Sequence, residues 1–270
     1  MYRTTGTKFK DEDIAGQVSH SSREHFAICA FYAMANMQGL KLPLEAPELH
    51  SELFIGSRGL VLENIKSMNR FYDKTNKWPQ VELLPAIALA QHYGIPTRLL
   101  DWTYDPLTAA YFAAKSALNK IEPDSRLAVW FTSKSRLASL DLFHLNKDVK
   151  SPAYSIKTVD VHYSGNPNLR AQRGTFTAVY RTEHQQPNDP IDKTTIEVAV
   201  QKIFEETKDE KIRSAVFSSD STLFTKLTLP ATEAKPLLRT LRATGYHASS
   251  IYPGFKSCTE ALREAIDLLE

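Results

Sequence analysis

Apolar residues recur at the three-to-four-residue spacing of a helix face in several stretches of the chain. This period predicts helices over residues 22–38, 60–72, 81–93, 106–118, 232–243 and 258–269. Capping and turn residues at the ends of these stretches agree with the pattern. Ser22 is a favoured N-cap residue, Gly39 and Gly94 follow two predicted ends, and Asp105-Pro106 places proline in the first turn of a helix.

Shorter stretches rich in β-branched and aromatic residues predict strands over residues 126–132, 174–180, 223–229 and 248–252. The polar stretches 183–195 and 205–221 are interpreted as loops. Helices come first and strands mixed with helices follow, which favours the α+β class. We therefore predict one domain over residues 1–270. Its helical part, 1–77, packs on a core, 78–270, built around a mixed, mainly antiparallel sheet.

The connection Gln91–Trp102 joins two apolar helices, yet it is strongly polar. Gln91 falls on the apolar stripe of the helix before it, so its amide is predicted to point inward. Burying such groups is costly unless they are paired. We predict that Arg98 and Asp101 form a charge-assisted pair and that Gln91 and His92 supply further hydrogen bonds.

Two interpretations of this connection stay open. In the functional one, the polar side chains line a pocket that binds a ligand. In the structural one, Arg98 and Asp101 only staple the two helices together, Trp102 fills the core, and His92 is a satisfied core histidine.

A second polar cluster, residues 166–177, precedes a predicted strand. Arg170 and Arg173 have the planar, multidentate donors that hold phosphate or carboxylate. Gly174 would let a ligand approach the backbone closely. A solvated loop before a strand explains the same residues without any ligand.

Composition narrows the classes of function. The 33 basic and 31 acidic residues leave a formal net charge of +2, so bulk charge gives no case for nucleic-acid or membrane binding. Cys29 and Cys258 form no disulfide framework, and no leader or long apolar segment is seen, which predicts a cytoplasmic protein. The phosphate-loop, dinucleotide, serine-hydrolase and zinc-protease motifs are absent, so no metal is expected.

At this point the residues resemble a known family, the FRG domain, named after a Phe/Tyr-Arg-Gly motif. The resemblance begins at about Trp78. The nearest match to the naming motif is Tyr2-Arg3, with glycine only at position 6. The residues that carry the resemblance are 89–103 (LAQHYGIPTRLLDWT), Pro106, Ala109, Tyr111, Phe112, Ala113, Asn166-Pro167, 170–177 (RAQRGTFT), Gly245 and 250–254 (SIYPG).

The resemblance implies a relation to ADP-ribosyltransferase-like folds, with NAD as substrate. On that basis we predict an NAD-using ADP-ribosyltransferase or NAD glycohydrolase that acts as a toxin or phage-defence effector. The residues predicted to be catalytic are Arg98, Asp101 and Gln172. Those predicted to bind substrate are Gln91, His92, Tyr93, Thr97, Trp102, Arg170, Arg173, Gly174 and Phe176.

The alternative is a non-catalytic module that binds a nucleotide, a nucleic acid or a protein through the same pocket. Tyr93 and Trp102 would then stack on a base. An unpaired carboxylate facing the pocket discriminates between the two, because the enzyme needs one to stabilise a ribosyl cation. No glutamate is singled out for this role: Glu183 and Glu197 both lie near a predicted strand, and an alternative role for Asp101 is to orient Arg98 instead of reacting itself.

Overall fold

A computed structural model describes residues 2–4, 21–40, 83–118, 124–140, 153–164, 166–181, 194–217 and 223–269. Its strands are β1 (Tyr2–Thr4), β2 (Leu100–Thr103), β3 (Arg126–Phe131), β4 (Tyr154–Val159), β5 (Gly174–Arg181) and β6 (Thr225–Pro230). They form one sheet in the order β4-β5-β2-β1-β3-β6, and every described pair is antiparallel. The α+β class is confirmed, and the sheet predicted to be mainly antiparallel is antiparallel at every described pair.

Ten α-helices are described alongside the sheet, with a 3-10 turn, Ala231–Glu233, after β6. None of the helices in the described ranges is long and apolar enough to cross a bilayer. The helices are α1 (Ser21–Met37), α2 (Leu84–His92), α3 (Pro106–Ala117), α4 (Lys134–Ser139), α5 (Pro167–Ala171), α6 (Ile196–Glu206), α7 (Glu210–Val216), α8 (Ala234–Ala243), α9 (Ala248–Ile251) and α10 (Phe255–Asp267).

Helices pack on both faces of the sheet and around one end of it, forming three apolar clusters. The first cluster joins α1 and α2 to Phe176 and Ala178 of β5. The second joins Trp102 of β2 and Ile156 of β4 to α6 and α7. The third joins α3, α8 and α9 to Leu127 of β3. The polar connection reaches the sheet at β2, which begins at Leu100.

The long periodic helices were predicted closely, but the shorter elements were not. Residues 248–252, predicted as a strand, form helix α9, because Ala248 and Ile251 are buried one helical turn apart and Ser250 N bonds His247 O at 3.0 Å. Much of 205–221, predicted as a loop, is helical in α6 and α7. Strands β2 and β4 were not predicted.

The N-terminal part, which was predicted to be helical, also contributes a strand, β1, to the sheet. Tyr2 pairs with Thr103 of β2 on one side and with Phe131 of β3 on the other, so β1 is an interior strand of the sheet. The predicted helix over 60–72 and most of the predicted loop 183–195 lie outside the described residues.

Candidate functional site

The polar connection starts with a tight reversal of the chain after helix α2. Tyr93 N donates to the carbonyl oxygens of Leu89 and Ala90, and Gly94 takes a φ of +95°, which residues with a Cβ rarely adopt. Ile95 N then donates to Ala90 O at 3.0 Å. Because Pro96 cannot continue a helix, the chain leaves in an extended form and enters β2 at Leu100. The helix end and the strand are thereby brought side by side.

Arg98 is held by Glu24, a residue that sequence reasoning missed. The Glu24 carboxylate accepts from Arg98 N at 2.8 Å and Nε at 2.8 Å, and its Oε2 lies 2.7 Å from Nη2. The Glu24 side chain is fully buried and that of Arg98 is 9% exposed. The predicted pairing of Arg98 with Asp101 is corrected: the carboxylate that neutralises the guanidinium comes from α1. This pair fastens α1 to the connection.

Gln91 links the connection to strand β2, as its position on the inner stripe of α2 predicted. Its Nε2 donates to Asp101 Oδ2 at 2.8 Å, while its Oε1 accepts a short hydrogen bond from the Thr97 hydroxyl. Thr97 is buried, and its hydroxyl oxygen also accepts from Leu99 N at 3.2 Å. Since Thr97 donates to the amide oxygen, the amide nitrogen is left to face Asp101.

The Asp101 carboxylate is exposed, yet protein surrounds it closely. Desolvation by neighbouring groups raises its pKa to about 6, against the lowering effect of the Gln91 hydrogen bond. No cation of the described residues acts on it. We call the surface formed by Asp101 and its hydrogen-bond partner Gln91 the Asp101 recess.

The pleat of β2 separates Asp101 from Trp102. Asp101 pairs with Phe176 across the ladder, on the face that carries α2, and Trp102 points to the opposite face. Trp102 is buried there, donates from Nε1 to Thr177 Oγ1 at 2.9 Å and stacks on Phe224. Its predicted role in stacking on a base is therefore corrected: it is a core residue with a satisfied indole.

His92 and Tyr93 lie at the outer end of the connection. His92 is half-buried, and burial lowers its pKa. Tyr93 is 56% exposed, and its ring stacks on Phe31 of α1 with centroids 6.3 Å apart. Of the two aromatic residues predicted to stack on a ligand, Tyr93 is the one that remains accessible.

The second polar cluster lies beside the first, because β2 pairs with β5. Thr103 pairs with Gly174, and the Thr103 hydroxyl donates to Gln172 O at 2.6 Å. The Gln172 side chain reaches the other way, donating from Nε2 to Ile251 O at 3.4 Å. Residues about 70 positions apart in the sequence are thus neighbours across two paired strands. Gln172 also connects this cluster to helix α9.

The other predicted residues of the second cluster divide into exposed and buried ones. Arg170 and Arg173 are exposed, and Arg173 has a φ of +48° in the turn before β5. Phe176 is a buried core residue. Gly174 is buried too, and a Cβ added there would meet Leu169 Cδ1 at 2.4 Å. The need for glycine at this position is therefore explained by packing against Leu169.

A comparison with protein families gives one match, the model of the FRG domain, over residues 46–122. The chain carries an FRG domain. The matched region contains the polar connection and helix α3, whereas the second cluster and the C-terminal helices lie beyond its end; the predicted extent, from about Trp78 to Gly254, differs at both ends. No curated protein and no solved structure matches the chain.

Tyr252, immediately after α9, is the second residue that site prediction missed, although the stretch around it was part of the resemblance to the FRG domain. Burial, with the negative charges of Glu260 and Asp101, raises its pKa, so its phenol stays protonated. Its ring packs edge-on against Phe112 of α3, with centroids 6.1 Å apart. The negative charge of Asp101 thus acts on this phenol.

The chemistry of the FRG domain's recess is that of a carboxylate with amide and phenol neighbours. Among the residues that the structure describes, no group of three or more His, Cys, Asp and Glu side chains could hold a metal ion. An acid that no cation of the described residues neutralises can bind a ligand that has hydroxyl groups or develops positive charge.

Proposed function

We propose that this FRG-domain chain is an NAD-using enzyme of the ADP-ribosyltransferase or NAD glycohydrolase type, with Asp101 as its catalytic carboxylate. One observation supports the proposal: Arg98 is neutralised by Glu24, so Asp101 stays exposed, and no cation among the residues that the structure describes acts on it. An enzyme of this type needs such an acid, and a purely structural staple does not.

The proposed step breaks the bond between ribose C1′ and the nicotinamide nitrogen of NAD. The bonding electron pair leaves with nicotinamide, and positive charge develops on the ribosyl group. A carboxylate that is ionised at neutral pH stabilises that charge or holds a ribose hydroxyl, and with its pKa at about 6 Asp101 is mostly ionised at pH 7. Water, or a nucleophile of an acceptor, then forms the new bond to C1′ and loses its proton.

Each neighbouring residue has a proposed part in this reaction. Gln91, oriented by Thr97, positions the Asp101 carboxylate. The exposed Arg170 and Arg173 supply positive charge for the pyrophosphate, a task that the occupied guanidinium of Arg98 does not serve. Tyr93 is the accessible aromatic surface for a base. With a macromolecular acceptor, the enzyme would act as a toxin or phage-defence effector.

The test is calorimetry of NAD binding to the purified chain, followed by mass spectrometry for released nicotinamide. We expect binding with release by the wild-type chain and at least a hundredfold slower release by Asp101→Asn, in line with the loss of one preorganised electrostatic group. Asp160→Asn, another exposed aspartate, is the matched control and should keep full activity. Failure to bind millimolar NAD would refute the proposal.

The alternative, a non-catalytic module for a nucleotide, nucleic acid or protein, draws its support from the exposed ring of Tyr93. In that case the chain binds its ligand without releasing nicotinamide. Tyr93→Ala would then weaken binding, whereas Asp101→Asn would have a smaller effect. The two arms of the same experiment separate the proposals.

A further inference from the structure

A small polar cavity lies where helices α3, α8 and α10 meet, beside the third apolar cluster. Lys115 of α3 lines it, together with Lys235 and Arg242 of α8 and with Glu264 and Asp267 of α10. Lys235 and Arg242 are seven residues apart, and Glu264 and Asp267 are three apart, so each pair lies on one face of its helix. None of the residues assigned to the proposed reaction lines this cavity.

The buried carboxylate of the cavity is fully engaged by the protein. Glu264 Oε1 accepts from the Tyr111 hydroxyl at 2.6 Å and accepts a short hydrogen bond from Lys115 Nζ. Its Oε2 accepts from Ala248 N at 3.1 Å. The charges of Lys115 and Glu264 therefore cancel within the fold.

Two cations and one carboxylate of the same cavity remain available. Lys235 and Asp267 are exposed, and within the described part of the chain neither makes a hydrogen bond or an ion pair. Arg242 is half-buried and donates from Nη1 to Ala261 O at 2.9 Å, which anchors the guanidinium and leaves its other N–H groups for a ligand. Two positive charges against one negative charge favour an anion in this space.

The size of the cavity limits the ligand to a small ion. It encloses about 30 Å³, whereas a single water needs ~10–15 Å³ when space is measured in the same way. This space takes a tetrahedral oxyanion in place of a few waters, but it does not take a nucleotide.

The side chains around the cavity also decide which oxyanion fits. Arg242 and Lys235 have only N–H donors, whereas the ionised carboxylate of Asp267 only accepts. The ligand must therefore present acceptor oxygens to the two cations and an O–H group to Asp267.

Hydrogen phosphate meets both requirements, because it keeps one P–OH group at neutral pH beside its ionised oxygens. Sulfate has no O–H group at this pH and would turn a negative oxygen toward Asp267. A phosphate monoester has a second pKa of about 6 and has mostly lost its P–OH group at pH 7. The diester phosphates of NAD have none either, so the cavity is not a subsite for that substrate.

We propose that this cavity is a binding site for inorganic phosphate, in which Arg242 and Lys235 donate to the oxygens of the ion and Asp267 accepts from its hydroxyl group. The bound ion bridges α8 and α10, since its partners come from both helices. The proposal is independent of the proposed reaction, because it shares neither residues nor ligand with it.

Calorimetry of the full chain with inorganic phosphate at pH 7 and constant ionic strength tests the site. We expect one ion bound per chain. Sulfate and phosphoserine should bind about tenfold more weakly, since a site that hydrogen-bonds a hydroxyl group rejects a ligand that lacks one. No binding of phosphate in the millimolar range, or equal affinity for phosphate and sulfate, would overturn the proposal.

Three variants test the cations. Lys235→Gln should weaken phosphate binding about threefold, because its charge is exposed, and Arg242→Gln about tenfold, because a charge-assisted hydrogen bond is lost. Arg263→Gln is the matched control: it removes an exposed cation of α10 that does not line the cavity, and it should bind like the wild type. Unchanged binding in the first two variants, or equal loss in the control, would refute the site.

The variant Asp267→Asn tests the choice of ion. The amide can donate to an oxygen of sulfate, so sulfate should bind more tightly than to the wild type and the preference for phosphate should disappear. A preference that survives this change would contradict the role of Asp267. Circular dichroism checks the fold of each variant, and Lys235→Gln decides the outcome if Arg242→Gln, which also loses the bond to Ala261, does not fold.

Discussion

Glu24 packs against the polar connection and Asp101 lies within it, and the two carboxylates are in opposite environments. Glu24 is fully buried and takes three contacts from Arg98, while Asp101 is exposed and accepts from the Gln91 amide and from its own backbone N–H. The difference separates two kinds of polar residue that look alike in the sequence. Glu24 serves the fold, because its removal leaves a buried charge, whereas Asp101 is available for a ligand.

Breaking the buried pair should have the largest effect. Glu24→Gln leaves the Arg98 guanidinium buried without its counter-charge, and we expect a loss of about 3–5 kcal/mol in the free energy of unfolding. Chemical denaturation measured at pH 7 checks it. Replacing both partners together, as Glu24→Leu with Arg98→Met, should recover part of the loss, because apolar replacements of buried pairs are often tolerated, while the backbone N–H of residue 98 still lacks the acceptor that Glu24 provided. Equal loss in the single and double variants would contradict the interpretation of Glu24 as a staple.

Gly174 of the second polar cluster was predicted to let a ligand approach the backbone, whereas the structure gives it a packing role. In Gly174→Ala the new Cβ meets Leu169 Cδ1, which is itself buried, so we expect a loss of about 1–3 kcal/mol from overpacking. Urea denaturation measures it. Combining the change with Leu169→Val should give a smaller loss than the sum of the two single changes. Additive losses would mean that the two residues do not share this space.

Thr97 offers a smaller and more local test of the Asp101 side of the comparison. Thr97→Val removes the donor to the Gln91 carbonyl oxygen, and we expect a loss of about 1 kcal/mol from an unsatisfied buried group. The freed amide should also hold Asp101 less well. Because the Gln91 hydrogen bond lowers the pKa of Asp101, that pKa should rise further, as followed by NMR titration of the carboxyl carbon. An unchanged titration would show that Thr97 does not orient Gln91.

The smallest expected effect is that of Asp101→Asn on stability, and its sign depends on pH. The folded pKa of about 6 lies above the ordinary value of 3.8, so the folded chain binds the proton more tightly than the unfolded chain between these values. Asp101 therefore favours the folded state at low pH, and this contribution is lost as pH rises from about 4 to about 6. Asp101→Asn should flatten that decline without unfolding the chain. Thermal melts of both proteins across this pH range test it, and identical pH profiles would contradict the raised pKa.

The features that depend on local sequence pattern were predicted from the sequence alone. Helical periodicity predicted α1, α2, α3, α8 and α10 to within a few residues, since each has a buried face of several turns. Asp105 as a cap was equally local: its carboxylate accepts from Leu107 N at 3.0 Å. Gln91 was placed on the inner stripe by the same periodicity. By contrast, β2 has only four residues and α9 only four, too short for a period to distinguish strand from helix.

The hydrogen-bond and ion-pair partners of the polar residues come from segments far apart in the chain. Arg98 had Asp101 three residues away, and that nearness predicted a pair; the fold instead gave it Glu24, 74 residues away, because α1 packs its first turn beside the connection. The lateral pairing of β2 with β5 likewise placed Gln172 next to Thr103, and the turn after α9 brought Tyr252 against Phe112 of α3. None of these has a signature in local spacing.

The amino-acid sequence by itself determined the α+β class, the principal helices and the segment that carries the polar cluster, because hydrophobic period and turn residues act within a few positions of each other. The tertiary structure alone decided which carboxylate is buried and which is accessible. That decision rests on desolvation and on the geometry of ion pairs, and both are properties of the space between elements that meet only when the sheet and its helices have packed.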